Sequence, residues 1–241
     1  MTGGGSGIGL GLAEAFHRLG NQVVIAGRRA HALQKAVDAN PGMSSLVLDM
    51  EDAGSISAAA QELEQRCPAL NVVIHNAGIM RAEDLPGGDL TGAEAIINTN
   101  LLGPIRLTAA LLPQLRRQQA STVMTVSSGL AFVPMALTPT YCATKAAIHS
   151  WTQSLRYQLR ASTISVVELI PPYVGTELMP GGTANPRAMP LNEFIGEVMQ
   201  ILTTQPDVEE VCVERVKPLR FAAEKGHYKD VYEGLNAAMP H

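Results

Sequence analysis

A chain of 241 residues suits one α/β sheet with its covering helices, and 46% hydrophobic against 17% charged residues is enough apolar material for a sizeable core. The formal net charge of −4, with Lys and Arg scattered rather than blocked, excludes the electrostatic footprint of a nucleic-acid or anionic-membrane binder and leaves small-molecule chemistry as the default. No run long enough to span a bilayer is free of charges. Cys67, Cys142 and Cys212 are odd in number and far apart, and no signal-peptide pattern opens the chain, so the expectation is a cytoplasmic protein without a structural metal.

In chain order, the stretch TGGGSGIG (2–9) leads into Ile8, Leu12, Ala15, Phe16 and Leu19 at helical spacing, and Gly20-Asn21 ends that helix. QVVIAGRR (22–29) reads as a short buried strand, 30–39 as a helix, SLVLD (45–49) as a strand and 52–66 as a helix. NVVIHNAG (71–78), STVMTVSS (121–128) and TISVVELI (163–170) are further apolar, β-branched runs, with long helical patterns at about 90–117 and 139–161 between them. Strands that are apolar throughout and alternate with helices predict a doubly wound parallel sheet covered on both faces, in one domain over 1–241. The stretch MPGGTANPRAMP (179–190) is punctuated by Pro and Gly and is expected to be a lid over the substrate.

In such a sheet, ligands sit beyond the carboxyl ends of the strands, where glycine lets backbone approach a pyrophosphate at a helix N-terminus. Gly3 suits the turn, Gly7 leaves room for a diphosphate, and Gly9 lets the helix start close to the sheet. Glycine clusters also mark ordinary loops, so the opening alone leaves both possibilities standing. A second feature has chemistry of its own. Tyr141 and Lys145 are four residues apart, on one face of a helix opened by Pro139 and following a strand that ends in Ser127-Ser128. A phenol titrates near pH 10, and a neighbouring ammonium is what adapts it to proton transfer at neutral pH.

Together, T-G-x-x-x-G-I-G, NAG at 76–78, Ser128 and YCATK at 141–145 resemble the short-chain dehydrogenase/reductase family over nearly the whole chain. IPPYVGTEL (170–178) and EFIGEVMQILTTQPDVEEVCVE (193–214) are similar to the branch named after an oxidoreductase of the D-alanyl-lipoteichoic-acid (Dlt) operon, a branch whose substrate is poorly defined. The resemblance implies a Rossmann-type fold and hydride transfer between NAD(P) and a carbonyl or alcohol. It assigns Tyr141 to proton transfer, Lys145 to the nicotinamide ribose and to tyrosine activation, Ser128 to substrate polarisation, and Asn100 to a bend in its helix and a proton-relay water. For the cofactor it implies Gly3, Ser6, Gly7 and Ile8 in the glycine loop, Asp49 and Met50 at the adenine, and Asn76, Ala77 and Gly78 at the adenosine ribose. It places Pro171, Val174 and Thr176 at the nicotinamide, alongside Tyr141 and Lys145. Gly27-Arg28-Arg29 presents no carboxylate for a ribose 2′-hydroxyl, and Arg28 stands where NADP-preferring relatives carry arginine, so NADP(H) is favoured and NAD(H) possible; the lesser alternative is that the two arginines merely begin a solvated helix. His75 reads as packing rather than catalysis.

Two departures from the family pattern stand out. Pro171-Pro172 replaces the usual Pro-Gly and removes one backbone N–H beside the nicotinamide. Relatives have a full apolar strand before the Thr-Gly turn, whereas Met1 alone precedes Thr2, so the first strand is expected to be absent, through a late-assigned start or a shortened chain. Tyr173, Leu178 and Met179 are expected to shape the substrate pocket, and the family's pairing through its long helices implies a homodimer or homotetramer, with Trp151 and Leu155 facing either a partner or the sheet. A non-catalytic nucleotide-binding regulator or scaffold on the same fold is the alternative; a sugar-nucleotide epimerase or dehydratase usually needs a longer C-terminal substrate region.

Overall fold

The computed structural model describes residues 1–88, 91–179 and 181–238. The glycine stretch runs into α1 (Gly7–Arg18), which buries Leu12, Ala13 and Ala15 and stops where Gly20 turns to φ +86°. β1 (Val24–Gly27), α2 (Ala30–Ala39) and β2 (Ser44–Val47) follow. Next come α3 (Ala53–Arg66), whose N-cap Asp52 accepts from the Gly54 N–H, and β3 (Val72–His75). α4 (Ala93–Ile97) continues through one π-helical turn, Asn98–Leu102, into α5 (Gly103–Arg116). β4 (Ser121–Val126), α6 (Pro139–Leu159), β5 (Ile164–Ile170), α7 (Leu191–Thr204), β6 (Glu210–Cys212), α8 (Lys217–Arg220) and α9 (Tyr228–Ala237) complete the order.

All strand pairings are parallel, in a two-stranded piece β1-β2 and a four-stranded piece β3-β4-β5-β6. Met1 and Thr2 join the two pieces. The Met1 amino group donates to the Val24 carbonyl at 2.7 Å, the Ala26 N–H donates to the Met1 carbonyl at 2.8 Å, and the Thr2 N–H donates across to the Ile74 carbonyl at 3.0 Å. Between the two pieces Thr2 forms an isolated parallel β-bridge with Ala26.

Alternate residues of each strand feed opposite faces, so both faces are apolar, as the unbroken hydrophobic runs require. Met124, Val126, Val167 and Leu169 meet α1 and α7 through Leu12, Phe194 and Val198, while Val123, Ile164 and Val166 meet α3, α5 and α6 through Ile56, Leu107, Leu111 and Leu155. Trp151 packs against this second cluster with Leu155, so both belong to the sheet side of α6. The continuous helix Ala93–Arg116 is long and apolar enough to cross a membrane by length and composition, but Leu107, Leu111 and Leu115 lie in the core and Arg106 interrupts it.

β1 and β3 are shorter than their apolar runs at both ends and β4 stops two residues early, whereas β2 begins one residue before its run and β5 ends with its own. The pattern expected over 90–117 proves to be two α-helices with a π-turn between them, and its expected first residue, Leu90, lies outside the described residues. β6 and α7 were not distinguished as elements in the sequence.

Candidate active site

The glycine loop is shaped by how closely other backbone approaches it. Gly3 has φ +65°, and a Cβ there would lie 2.8 Å from Asn76 Nδ2 and 2.9 Å from the Ala77 Cα. At Gly9 a Cβ would lie 2.3 Å from the Gly3 carbonyl oxygen, so α1 starts in direct contact with the turn that precedes it. Thr2 fastens the loop to the end of β3: its Oγ1 accepts from the N–H groups of Asn76, at 3.1 Å, and Ala77, at 3.0 Å. Asn76 Nδ2 reaches back to the Thr2 carbonyl at 3.2 Å. α1 has no side-chain cap hydrogen bond at Ser6, because Ser6 Oγ instead accepts from Arg29 Nη2 at 2.9 Å. A helix N-terminus without its side-chain cap, reached through glycines that leave no side chain in the way, is a cradle suited to a dinucleotide's phosphates. Thr176 stands across from Gly7, where a Cβ would come 3.3 Å from its Cγ2.

Just beyond β1, Arg28 and Glu51 form an ion pair at 2.8 Å, both partly exposed, and Thr99 Oγ1 donates to the same carboxylate at 3.2 Å. Asp49 lies just beyond β2, held by its N–H to Ser55 Oγ and by Oδ1 accepting from the Glu51 N–H, each at 3.0 Å, with Met50 buried beside it. Asn76, Ala77 and Gly78 follow β3 directly.

The four residues expected to carry catalysis come together. Asn100 lies in the π-turn, is 2% exposed, and clasps Ile79 from both sides: Oδ1 accepts from the Ile79 N–H and Nδ2 donates to the Ile79 carbonyl, each at 2.9 Å. A π-turn admits one extra residue into the helix and redirects that side chain, which accounts for an asparagine buried at this point. Nδ2 also donates to Thr144 Oγ1 at 3.2 Å, tying the turn to α6. Ser128 caps the short 3₁₀ turn after β4, its Oγ accepting from the Leu130 N–H at 3.1 Å. Tyr141 is 5% exposed; burial pushes its phenol above the ordinary range, and the hydrogen bond with Ser128 draws it back. Lys145 is also 5% exposed, its Nζ 5.5 Å from the Tyr141 ring centre and donating to the Val126 carbonyl at 2.7 Å. Burial lowers its pKa to about 8, against the opposing pull of the Glu168 charge.

The Tyr141 ring sits in an apolar cluster with Ile96, Met135 and Cys142, flanked by Ile79, Met80, Leu130, Leu137, Met179 and Leu235. Of the residues expected to shape the pocket, Met179 is therefore beside the tyrosine, while Leu178 is 41% exposed. Pro180, within the expected lid, lies outside the described residues. The far end of that stretch folds back on the loop after β5: the Gly175 N–H donates to the Met189 carbonyl at 2.9 Å and the Met189 N–H to the Tyr173 carbonyl at 2.8 Å, bridging Val174 to Met189. Pro171 is buried, and its carbonyl accepts from the Gly129 N–H at 2.9 Å.

His75 is buried under Thr108, whose Oγ1 lies 2.7 Å from Nε2, and burial lowers its pKa to about 3, so the ring is neutral and structural at ordinary pH. Several contributors were not found from the sequence. Thr2 as a pin, Arg29 over the glycine loop, and Asn236 of α9, which accepts from the Ala136 N–H at 2.6 Å beside the tyrosine, gave no local pattern. Glu168 did carry a signal, as a lone charge in an apolar strand. It is fully buried, accepts a hydrogen bond from Ser127 through Oε1, and has His149 Nδ1 2.7 Å from Oε2. His149, Glu168 and Glu210 offer ligand atoms within 4.8 Å of one another, a spacing compatible with a metal, but the Arg220 guanidinium already grips Glu210 at 2.8 and 3.2 Å.

The family model described as short chain dehydrogenase matches residues 1–186. A Bacillus subtilis (strain 168) protein described as "Uncharacterized oxidoreductase DltE" is 35% identical over 98% of this chain and 95% of its own. Among solved structures, a short chain dehydrogenase from Burkholderia cenocepacia J2315 in complex with NADP has a TM-score of 0.81 at 23% identity, covering 97% of this chain and 94% of that one. A short chain dehydrogenase/reductase from Burkholderia phymatum in complex with NAD has a TM-score of 0.80 at 19% identity, covering 100% and 96%.

Proposed function

The chain belongs to the short-chain dehydrogenase/reductase family, and from that premise we propose that it is a reversible NADP(H)-dependent oxidoreductase of a carbonyl/alcohol substrate with Tyr141 as general acid and base. The observation that carries the proposal is the convergence of Asn100, Ser128, Tyr141 and Lys145, from the π-turn, the end of β4 and the start of α6, into one buried cluster.

When bound, the nicotinamide would supply or take up the hydride. In the direction of reduction, the chain's own residues then have four tasks. Ser128 orients the carbonyl oxygen, and Tyr141, kept protonated by burial, donates its proton to that oxygen as charge develops there. Lys145 supplies the positive charge that stabilises the phenolate left behind, which it can do only while protonated, below about pH 8. Asn100 holds Ile79 and Thr144 in place around the tyrosine and offers a site for a water through which the proton is replaced. The apolar ring of Ile79, Met80, Leu130, Met135 and Met179 excludes bulk water and favours an apolar or mixed substrate.

For the cofactor, Gly3, Ser6, Gly7 and Ile8 would hold the phosphates, Asp49 and Met50 the adenine, and Asn76, Ala77 and Gly78 the adenosine ribose. Pro171, Val174 and Thr176 would hold the nicotinamide with Tyr141 and Lys145. Arg28 and Arg29, flanking the same loop, support NADP(H) over NAD(H). We place this activity in one domain spanning 1–241, in the cytoplasm, in a homodimer or homotetramer, with 179–190 closing over substrate. Tyr141→Phe is expected to lower turnover of a carbonyl probe by about 10²–10⁴-fold while weakening NADPH by isothermal titration by about tenfold at most. Unchanged turnover in that variant would remove Tyr141 from the reaction. NADPH binding with no turnover across a broad carbonyl panel would instead identify a nucleotide-binding regulator.

A further inference from the structure

Tyr141, Lys145 and His149 are spaced by four residues on one stripe of α6, and that stripe meets Glu168 of β5 and the end of β4, just before Ser127. A carboxylate with no exposure, in the middle of a parallel sheet, needs partners for its charge and its lone pairs. Ser127 donates to one oxygen and His149 meets the other at 2.7 Å, while Lys145, one helical turn before His149, is a buried cation whose Nζ donates to the carbonyl of Val126, the register neighbour of Leu169 beside Glu168. Ser127 also precedes Ser128, so the same carboxylate anchors the strand end from which the serine of the pocket projects.

We propose that Glu168 is a positioning residue, acting through Lys145: held by Ser127 and His149, its carboxylate is the fixed counter-charge that keeps the lysine ammonium charged behind Tyr141. The proposal rests on the assignment of Tyr141 and Lys145 made above.

The neighbouring charges are accounted for on each packed element. On α6 these are Tyr141, Cys142, Lys145 and His149; Thr125, the β4 register neighbour of Glu168, is engaged with Thr152, and just past β4 the Ser127 hydroxyl donates to the carboxylate. On β6, Glu210 is the register neighbour of Glu168, with Cys212 two residues on, and Arg220 of α8 holds Glu210 in a fork and stacks over Phe132 at 4.6 Å. Phe132 in turn meets His149 edge-on at 4.7 Å. The Glu210 charge is thus neutralised by arginine, and the Glu168 charge is left for His149 and Lys145. Burial and Glu168 act on Lys145 in opposite directions, burial lowering and the carboxylate raising its affinity for a proton.

The test reads Lys145 directly and needs no substrate. Protein labelled with ¹³Cε-lysine is titrated by NMR, with the Lys145 resonance assigned through Lys145→Met. The wild-type midpoint is expected near 8. Glu168→Gln preserves shape and hydrogen-bonding capacity while removing the charge, and is expected to lower the Lys145 midpoint by about one unit or more. Glu168→Asp should restore most of that shift, which a purely packing role would not produce. Should Glu168→Gln fail to fold, Ser127→Ala, which loosens the same carboxylate, is expected to lower the midpoint by a smaller amount in the same direction. An unchanged Lys145 midpoint in folded Glu168→Gln, or in Ser127→Ala where that is the variant read, overturns the proposal. Saturable Zn²⁺ binding that is lost in His149→Asn also overturns it, by assigning the cluster to a metal. Turnover that survives Tyr141→Phe would defeat the catalytic assignment while leaving the Lys145 titration to report on Glu168 by itself.

Discussion

The two-stranded and the four-stranded pieces of this sheet are held together by opposite means. β1 and β2 with the glycine loop depend on side chains that are missing: Gly3 and Gly9 let backbone touch backbone, and the link to the rest of the sheet narrows to Met1 and Thr2. In β3 to β6 the ladder is continuous, and buried polar side chains contributed by separate elements (Asn100, Ser127, Lys145, Glu168) fix the geometry. The first half should therefore fail when an atom is added, and the second when a polar atom is removed.

The largest effect should come from adding one carbon to the first half. In Gly9→Ala the new methyl would lie 2.3 Å from the Gly3 carbonyl oxygen and 2.4 Å from Asn76 Nδ2, and since one neighbour is backbone, α1 must move off the loop. NADPH binding by isothermal titration should weaken from micromolar to millimolar or beyond, about 4 kcal/mol. Retained micromolar affinity would show that the loop is less tightly specified than its contacts imply.

Thr2 is where the comparison is sharpest, because it is a buried polar pin inside the half otherwise built on glycine. Thr2→Val keeps the shape but leaves the Asn76 and Ala77 N–H groups without their acceptor. Urea unfolding should show a loss of about 3 kcal/mol from the two orphaned donors. Thr2→Ser, which retains the oxygen, should recover most of it.

In the second half, His75 offers a pH-dependent version of the same experiment. Its ring stays neutral in the fold down to about pH 3, while in the unfolded chain it binds a proton near 6.5. Its contribution is therefore fully present above pH 6.5 and is lost progressively as pH falls toward 3. At pH 5 the native protein should have lost about 2 kcal/mol of unfolding free energy relative to His75→Gln, each stability being referenced to pH 7.5. Parallel stability curves for the two proteins would mean that the histidine is not buried neutral.

The same division governs how much could be read from the sequence. The doubly wound sheet, the glycine loop and the Tyr141–Lys145 pair were legible because each is a short-range pattern: an apolar run, a turn residue, a spacing of four. Strand β6, only three residues long, and helix α7 were not distinguished. Glu168 was not singled out although it is a charge in an apolar run, and its partners Ser127 and His149 are 41 and 19 residues away, brought together only by the packing of α6 on the sheet. Asn236 meets the loop before Tyr141 across 100 residues, a relation no local pattern carries.

The smallest expected effect concerns cofactor choice, where the two ways of building the site compete at one residue. Arg28, proposed above to meet a 2′-phosphate, has its guanidinium already paired with Glu51, which Thr99 holds in turn. Binding the phosphate exchanges one exposed ion pair for another, so the net gain is far below that of a free arginine. Arg28→Ala should weaken NADPH by about tenfold, about 1.4 kcal/mol, and leave NADH unchanged. Glu51→Gln releases the guanidinium without altering the phosphate's approach, and should tighten NADPH alone. Were Arg28→Ala to weaken both cofactors equally, the arginine would be serving the fold of the loop, and discrimination would pass to Arg29, whose Nη2 already rests on Ser6 at the mouth of the glycine cradle.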